Sequence, residues 1–98
     1  MESKITDYGF FKQLEALPFI EQIWLFGSRA RGDNEERSDI DIAISCPAAT
    51  SEDWLKVLDI IEQADTLLKI DCVRVDDLGP NDKFTENVLK FKKIIYKK

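Results

Sequence analysis

Residues 26–44 read FGSRARGDNEERSDIDIAI, and the interpretation of the whole chain of 98 residues turns on them. Gly27 directly follows Ile20 to Phe26, an apolar run rich in strand formers. The backbone turns there on a residue that lets it approach a ligand closely. In a short helix starting at Ser28, the first N–H groups point outward and suit an anionic phosphate. Ser28 adds a hydroxyl donor, Arg29 and Arg31 are nearby cations, and Gly32 ends the turn. A Gly-Ser-x-x-x-Gly loop alone is a common turn, so the weight falls on the strand after it. From Asp39 to Ser45 the pattern alternates strictly. Ile40, Ile42 and Ile44 point to one face of a strand, and Asp39, Asp41, Ala43 and Ser45 to the other.

Two carboxylates two residues apart on one strand face can share a cation. Hard oxygen ligands of this kind suit Mg²⁺, which also takes phosphate oxygens from a nucleotide. Without a cation the pair is costly, since two unit charges about 4 Å apart repel by roughly 4 kcal/mol at a protein-surface dielectric. A lone Asp-x-Asp is most simply a solvated acidic edge. Here three isoleucines occupy the opposite face and a glycine loop lies just upstream, which favours a site. Asp71 opens the next strand, Ile70 to Val75, and shares a face with Val73 and Val75. It is either a solvated strand end or a third carboxylate beside the Asp39/Asp41 pair. Nucleotidyl transfer often uses two metal ions about 3.5–4 Å apart, and a third carboxylate serves the second ion and an acceptor hydroxyl.

These demands imply a topology. The loop follows the C-terminal end of the first strand, whereas Asp39 and Asp71 begin the second and third. For all to meet, the first strand runs antiparallel to the other two. Those two are parallel and joined by a right-handed crossover through a helix over 51–68. The expected fold class is α/β, more closely α+β: a small mixed sheet with helices packed on its isoleucine face and the carboxylates on the open one.

The remaining pattern fits one domain over 1–98, with no repeat, linker or low-complexity stretch. Phe10, Phe11, Leu14 and Leu17 predict a helix closing before Pro18. Thr50-x-x-Asp53 resembles a capping box ahead of a helix with Trp54, Leu55, Leu58, Ile61 and Leu68 on its stripe. A turn at Gly79-Pro80 precedes a helix with Phe84, Val88, Leu89 and Phe91 on one side, and Lys93 to Tyr96 reads as a short final strand.

Composition narrows the chemistry. Histidine is absent, which removes Ser-His-Asp, Cys-His and HExxH mechanisms. The net charge of −5 argues against general nucleic-acid binding through phosphate neutralisation. Five of the last nine residues are lysine, read as a solvated strand and tail rather than a basic patch. Cys46 and Cys72 lie far apart without zinc or redox spacing and read as small buried thiols. No apolar run is long enough to span a bilayer. The N-terminus, with Glu2, Lys4 and Asp7, lacks a signal-peptide core, so a cytoplasmic location is expected.

Gly27-Ser28-Arg29-Ala30-Arg31-Gly32 followed by Ser38-Asp39-Ile40-Asp41-Ile42 resembles the GSxARG…SDxD signature of the DNA polymerase β-like nucleotidyltransferases. The short chain with Asp71 in Ile-Asp-Cys-Val resembles the minimal nucleotidyltransferase (MNT) branch, over roughly Ile20 to Val75, without departure at the signature positions. The resemblance implies the nucleotidyltransferase fold, ATP as substrate and two Mg²⁺ ions. It assigns Gly27 and Ser28 to the triphosphate and Asp39 and Asp41 to both metals. Asp71 would ligate the catalytic metal and help deprotonate the acceptor hydroxyl. Arg29 and Arg31 would contact phosphate or a partner, or else pair with Asp33, Glu35 or Glu36 to stabilise the loop. Ser38 would orient Asp39 or cap a turn. Proteins of this branch are typically encoded beside a small helical HEPN protein, and some act as antitoxins that transfer AMP to a tyrosine of that toxin, which makes a HEPN toxin the partner the resemblance implies. The alternatives are a small-molecule acceptor, aminoglycoside-like, or a non-catalytic antitoxin that blocks its partner by contact.

Overall fold

The computed structural model describes residues 7–35 and 37–98. Glu2 and Lys4, and Glu36 as a partner for the loop arginines, lie outside the described residues.

Helix α1 (Gly9–Glu15) buries Phe10, Phe11 and Leu14 and is over before Pro18, as the spacing predicts. Tyr8 offers no side-chain cap. The cap comes instead from Asp65, whose carboxylate accepts from the Gly9 and Phe10 amides at 3.3 and 3.4 Å. Asp65 is thus a tertiary substitute for the local N-cap that the first turn needs.

Four strands form one mixed sheet in the order β3-β2-β1-β4. They are β1 (Gln22–Phe26), β2 (Ile40–Ser45), β3 (Ile70–Arg74) and β4 (Lys93–Lys97). β1 runs antiparallel to β2 and β4, while β2 and β3 are parallel, which is the topology the site demanded. β1 starts two residues later than its apolar run, because the Ile20 amide donates to the Leu17 carbonyl and keeps the chain in a turn. Ile40, Ile42 and Ile44 are fully buried with Phe10, Phe11, Leu14, Ile23 and Val57, so the isoleucine face is the main core. Arg74 braces the far end of the parallel pair, its guanidinium donating to the Cys46 and Ala49 carbonyls at 2.9 Å each.

The crossover helix α3 (Ser51–Glu62) begins with the expected capping box of Thr50 and Asp53. It ends at Glu62, well short of residue 68. Past it the chain turns, with the Leu68 amide donating to Thr66 Oγ1, and this turn delivers Asp65 to α1. The buried stripe is also rotated from the expected one. Val57 is buried and Trp54, Ile60 and Ile61 pack on the core, whereas Leu55 and Leu58 face outward.

The opposite sheet face is not open throughout, which corrects the simplest expectation. Helix α4 (Lys83–Phe91), capped by Asp82, lays Val88 on Trp24, Phe26 and Ala43 to form a second, smaller core. Val73, Val75 and Leu78 border it. Cys46 is buried and Cys72 partly so, both as free thiols. Burial raises both, with Cys72 pushed up to about 12, so neither is a ready nucleophile. No helix among the described residues is long and apolar enough to cross a membrane.

Candidate active site

Register brings the site together. Phe26 on β1 is the Cα partner of Asp41 on β2, and Asp41 is the partner of Asp71 on β3. Partners in register share a sheet face, so both carboxylates lie in one row across neighbouring strands. Asp71 is close enough to Asp41 to favour its protonated form. Burial first, then Asp71 and the charge of Asp39, push the Asp41 carboxyl up from 3.8 to about 6. Arg31 pulls it the other way.

Gly27 follows β1 with φ +73°, and helix α2 (Ser28–Arg31) begins at the next residue. A side chain at 27 is excluded twice over. The positive φ disfavours any L residue, and an added Cβ would fall on Asp41 Oδ2. Close approach of the loop backbone to the carboxylate row is therefore built in. Of the α2 amides, those of Ala30 and Arg31 donate to the Gly27 carbonyl, and the N-terminal end of the helix starts at the turn that meets Asp41. Gly32, at φ +82°, closes the helix in the left-handed conformation.

The two arginines differ. The Arg29 guanidinium donates to the Ser38 carbonyl at 2.9 Å, tying α2 to the residue before Asp39. Ser38 Oγ accepts from the Glu35 amide at 2.8 Å, which caps the loop turn. Both side chains thus shape the loop. Arg31 pairs with Asp33 at 3.2 Å and lies over Phe91, 5.9 Å from the ring centroid. It remains partly exposed and near enough for its charge to reach Asp41.

Asp39 stands just ahead of β2 and is exposed. Among the described residues no three acidic, cysteine or histidine side chains converge to enclose a metal ion by themselves. What the residues do offer is a hard-oxygen pair with Asp39 at its edge. That fits Mg²⁺, which is commonly held by one or two carboxylates plus substrate phosphates.

Sequence reasoning missed two neighbours of the row. Lys69 Nζ lies 3.7 Å from Asp71 Oδ1, and the Phe84 ring packs on Phe26 with centroids 5.6 Å apart. Nothing in their spacing sets them apart from an ordinary surface lysine and a core phenylalanine. A hollow of about 420 Å³ lined by Pro18, Gln22 and Lys97 lies at the opposite end of β1 and contains none of these groups.

A glycine turn set against paired carboxylates on a mixed sheet is an arrangement that suits phosphate transfer. The family model for polymerase β nucleotidyltransferases matches residues 11–98, and the chain belongs to that family. A search of curated proteins gives no match. Solved structures share the fold at low identity. A chain from a toxin–antitoxin complex with AMP-PNP superposes with a TM-score of 0.61 at 22% identity, over 89% of this chain and 69% of that one. A Sulfolobus solfataricus protein described as a nucleotidyltransferase gives 0.57 at 22%, over 91% and 75%. A chain from the complex of tri-AMPylated Shewanella oneidensis HEPN toxin with MNT antitoxin gives 0.53 at 19%, over 91% and 70%.

Proposed function

We propose that the protein is a magnesium-dependent nucleotidyltransferase that moves AMP from ATP to a tyrosine hydroxyl of a HEPN ribonuclease toxin and thereby acts as its antitoxin. The observation that carries this reading is the Asp41–Asp71 row pressed against the Gly27 turn. In support, solved structures with this fold come from a toxin–antitoxin complex with AMP-PNP and from an AMPylated HEPN toxin with its MNT antitoxin.

Gly27 and the first turn of α2 receive the triphosphate through backbone N–H groups, with the Ser28 hydroxyl as a further donor. Arg29 and Ser38 hold the loop in shape, and Arg31 adds positive charge on the side of the leaving group. Asp39, Asp41 and Asp71 would hold the Mg²⁺ ions. When bound, these ions neutralise charge on the phosphates and on the attacking and leaving oxygens. Asp71 takes the proton of the acceptor hydroxyl. The acceptor oxygen forms a bond to the α-phosphorus as the bond to pyrophosphate breaks in line with it.

The test mixes the chain with a HEPN toxin and ATP labelled on the α-phosphate. Label should appear on a toxin tyrosine with release of pyrophosphate, and Asp39→Asn with Asp41→Asn should abolish it. Neutralisation by the double variant at equal stoichiometry would show that contact suffices. Label passing to an aminoglycoside and not to the HEPN protein would move the acceptor to the small-molecule class. MgATP should also raise the thermal midpoint of the chain, since it binds only the native state.

A further inference from the structure

In-line displacement places the attacking oxygen, the α-phosphorus and the leaving pyrophosphate on one line. Given the nucleotidyl transfer proposed above, on which this inference rests, that line runs across the strands. It goes from the loop after β1 to Asp71 on β3. The nucleoside is the remaining substituent on phosphorus and cannot lie along the same line. It leaves parallel to the strands, either off the end of the sheet or back over its face.

Back over the face stands α4. Phe84, Val88 and Phe91 recur at i, i+4 and i+7 and so form one stripe along the helix. Val88 is buried against the sheet, while Phe84 and Phe91 keep 42% and 38% of their surface exposed. Single exposed apolar residues need no explanation, but two aromatic rings on one stripe bordering an active site do. Phe91 is already engaged, with Arg31 and Lys90 over its ring at 5.9 and 5.3 Å. Phe84 packs edge-on against Phe26, the rings 87° apart, and Phe26 is the register partner of Asp41. Phe84 is therefore one side chain removed from the carboxylate row.

We propose that Phe84 is the stacking platform for the nucleobase, with α4 forming the wall of the nucleoside site. Every base has a π-face, so a stacking wall tolerates different bases. ATP and GTP should bind with similar affinity, and both more tightly than the smaller-ringed CTP.

The test is calorimetric titration of MgATP and of magnesium tripolyphosphate, which lacks a nucleoside, into the wild type and into Phe84→Ala, Phe84→Leu and Phe84→Trp. Phe84→Ala should weaken MgATP roughly 5- to 150-fold, the range for loss of one base–aromatic stack. Tripolyphosphate should change by no more than about twofold. Phe84→Leu keeps an apolar contact with Phe26 without a flat ring. It should melt like the wild type yet lose MgATP affinity, and Phe84→Trp should restore it. Equal weakening of both ligands overturns the proposal, because Phe84 would then act through the fold. Unchanged MgATP affinity with a raised KM for the HEPN protein also overturns it, by assigning the wall to the acceptor. Failure of the wild type to bind either ligand defeats the nucleotide reading itself, and the stacking proposal with it.

Discussion

The two faces of β2 divide the work of the protein between them. Ile40, Ile42 and Ile44 are fully buried under α1 and α3. One residue over, Asp41 turns the other way into a row with Asp71, where its charge is opposed by burial and by a like charge. The first face lowers the free energy of the fold, whereas on the second the crowding of Asp41 with Asp71 raises it. A strand with period two can do both within six residues, because neighbouring side chains share a backbone but no environment.

Substitutions on either face should break this division in opposite ways. Asp41→Asn should cost about 10³-fold or more in transfer, as expected for loss of a metal ligand that stabilises transition-state charge. The melting temperature should hold or rise above neutral pH, because a repulsive charge is gone. Ile42→Ala should do the reverse, losing about 2–5 kcal/mol of stability by urea unfolding through transfer and cavity terms. Its activity per folded molecule should stay near the wild-type value. If Asp41→Asn proved as destabilising as Ile42→Ala, the carboxylate would have to be a structural element.

A smaller effect concerns pH. The Asp41 carboxyl lies at about 6 in the folded chain against 3.8 for an ordinary aspartate. Between those values the folded chain holds a proton that the unfolded chain has released. Without metal, the Asp41 contribution to stability therefore falls as pH rises through this window and levels off above it. Urea unfolding at about pH 4.5 and about pH 7.5 should show a larger loss for the wild type than for Asp41→Asn. Magnesium should recover stability at the higher pH and have little effect at the lower one. Identical pH dependence in the two proteins would mean that neither burial nor its acidic neighbours raise the Asp41 carboxyl.

Much of the architecture was legible because the motif residues impose geometry on one another. Gly27, Asp39 and Asp71 can meet only if β1 opposes β2 and β3, so the strand directions came from chemistry before any packing was known. The errors arose where apolar residues carry no direction of their own. Leu67 and Leu68 extend the apolar count beyond α3, yet Leu67 is fully exposed and the helix has already ended. Leu55 and Leu58 fit a helical stripe as well as Val57 does, and only the placement of α3 over β2 selects Val57. The role of α4 was hidden for the same reason. Nothing local says that Val88 caps the carboxylate face, or that Phe84 sits against Phe26. Arg29 and Ser38 were ambiguous between ligand and loop contacts, and their hydrogen bonds with Ser38 and Glu35 give each a loop-shaping role.

The carboxylate of Asp65 has a consequence for the order in which the chain folds. Helix α1 has seven residues, too few to persist alone in water. Its N-terminal amides find their acceptor 56 and 55 positions later in the sequence. That bond forms only after a long loop has closed and α3 has ended where it does. Helix α1 should therefore be among the last elements to become protected from hydrogen exchange during refolding. Asp65→Ala should speed exchange in α1 well before it disturbs the sheet.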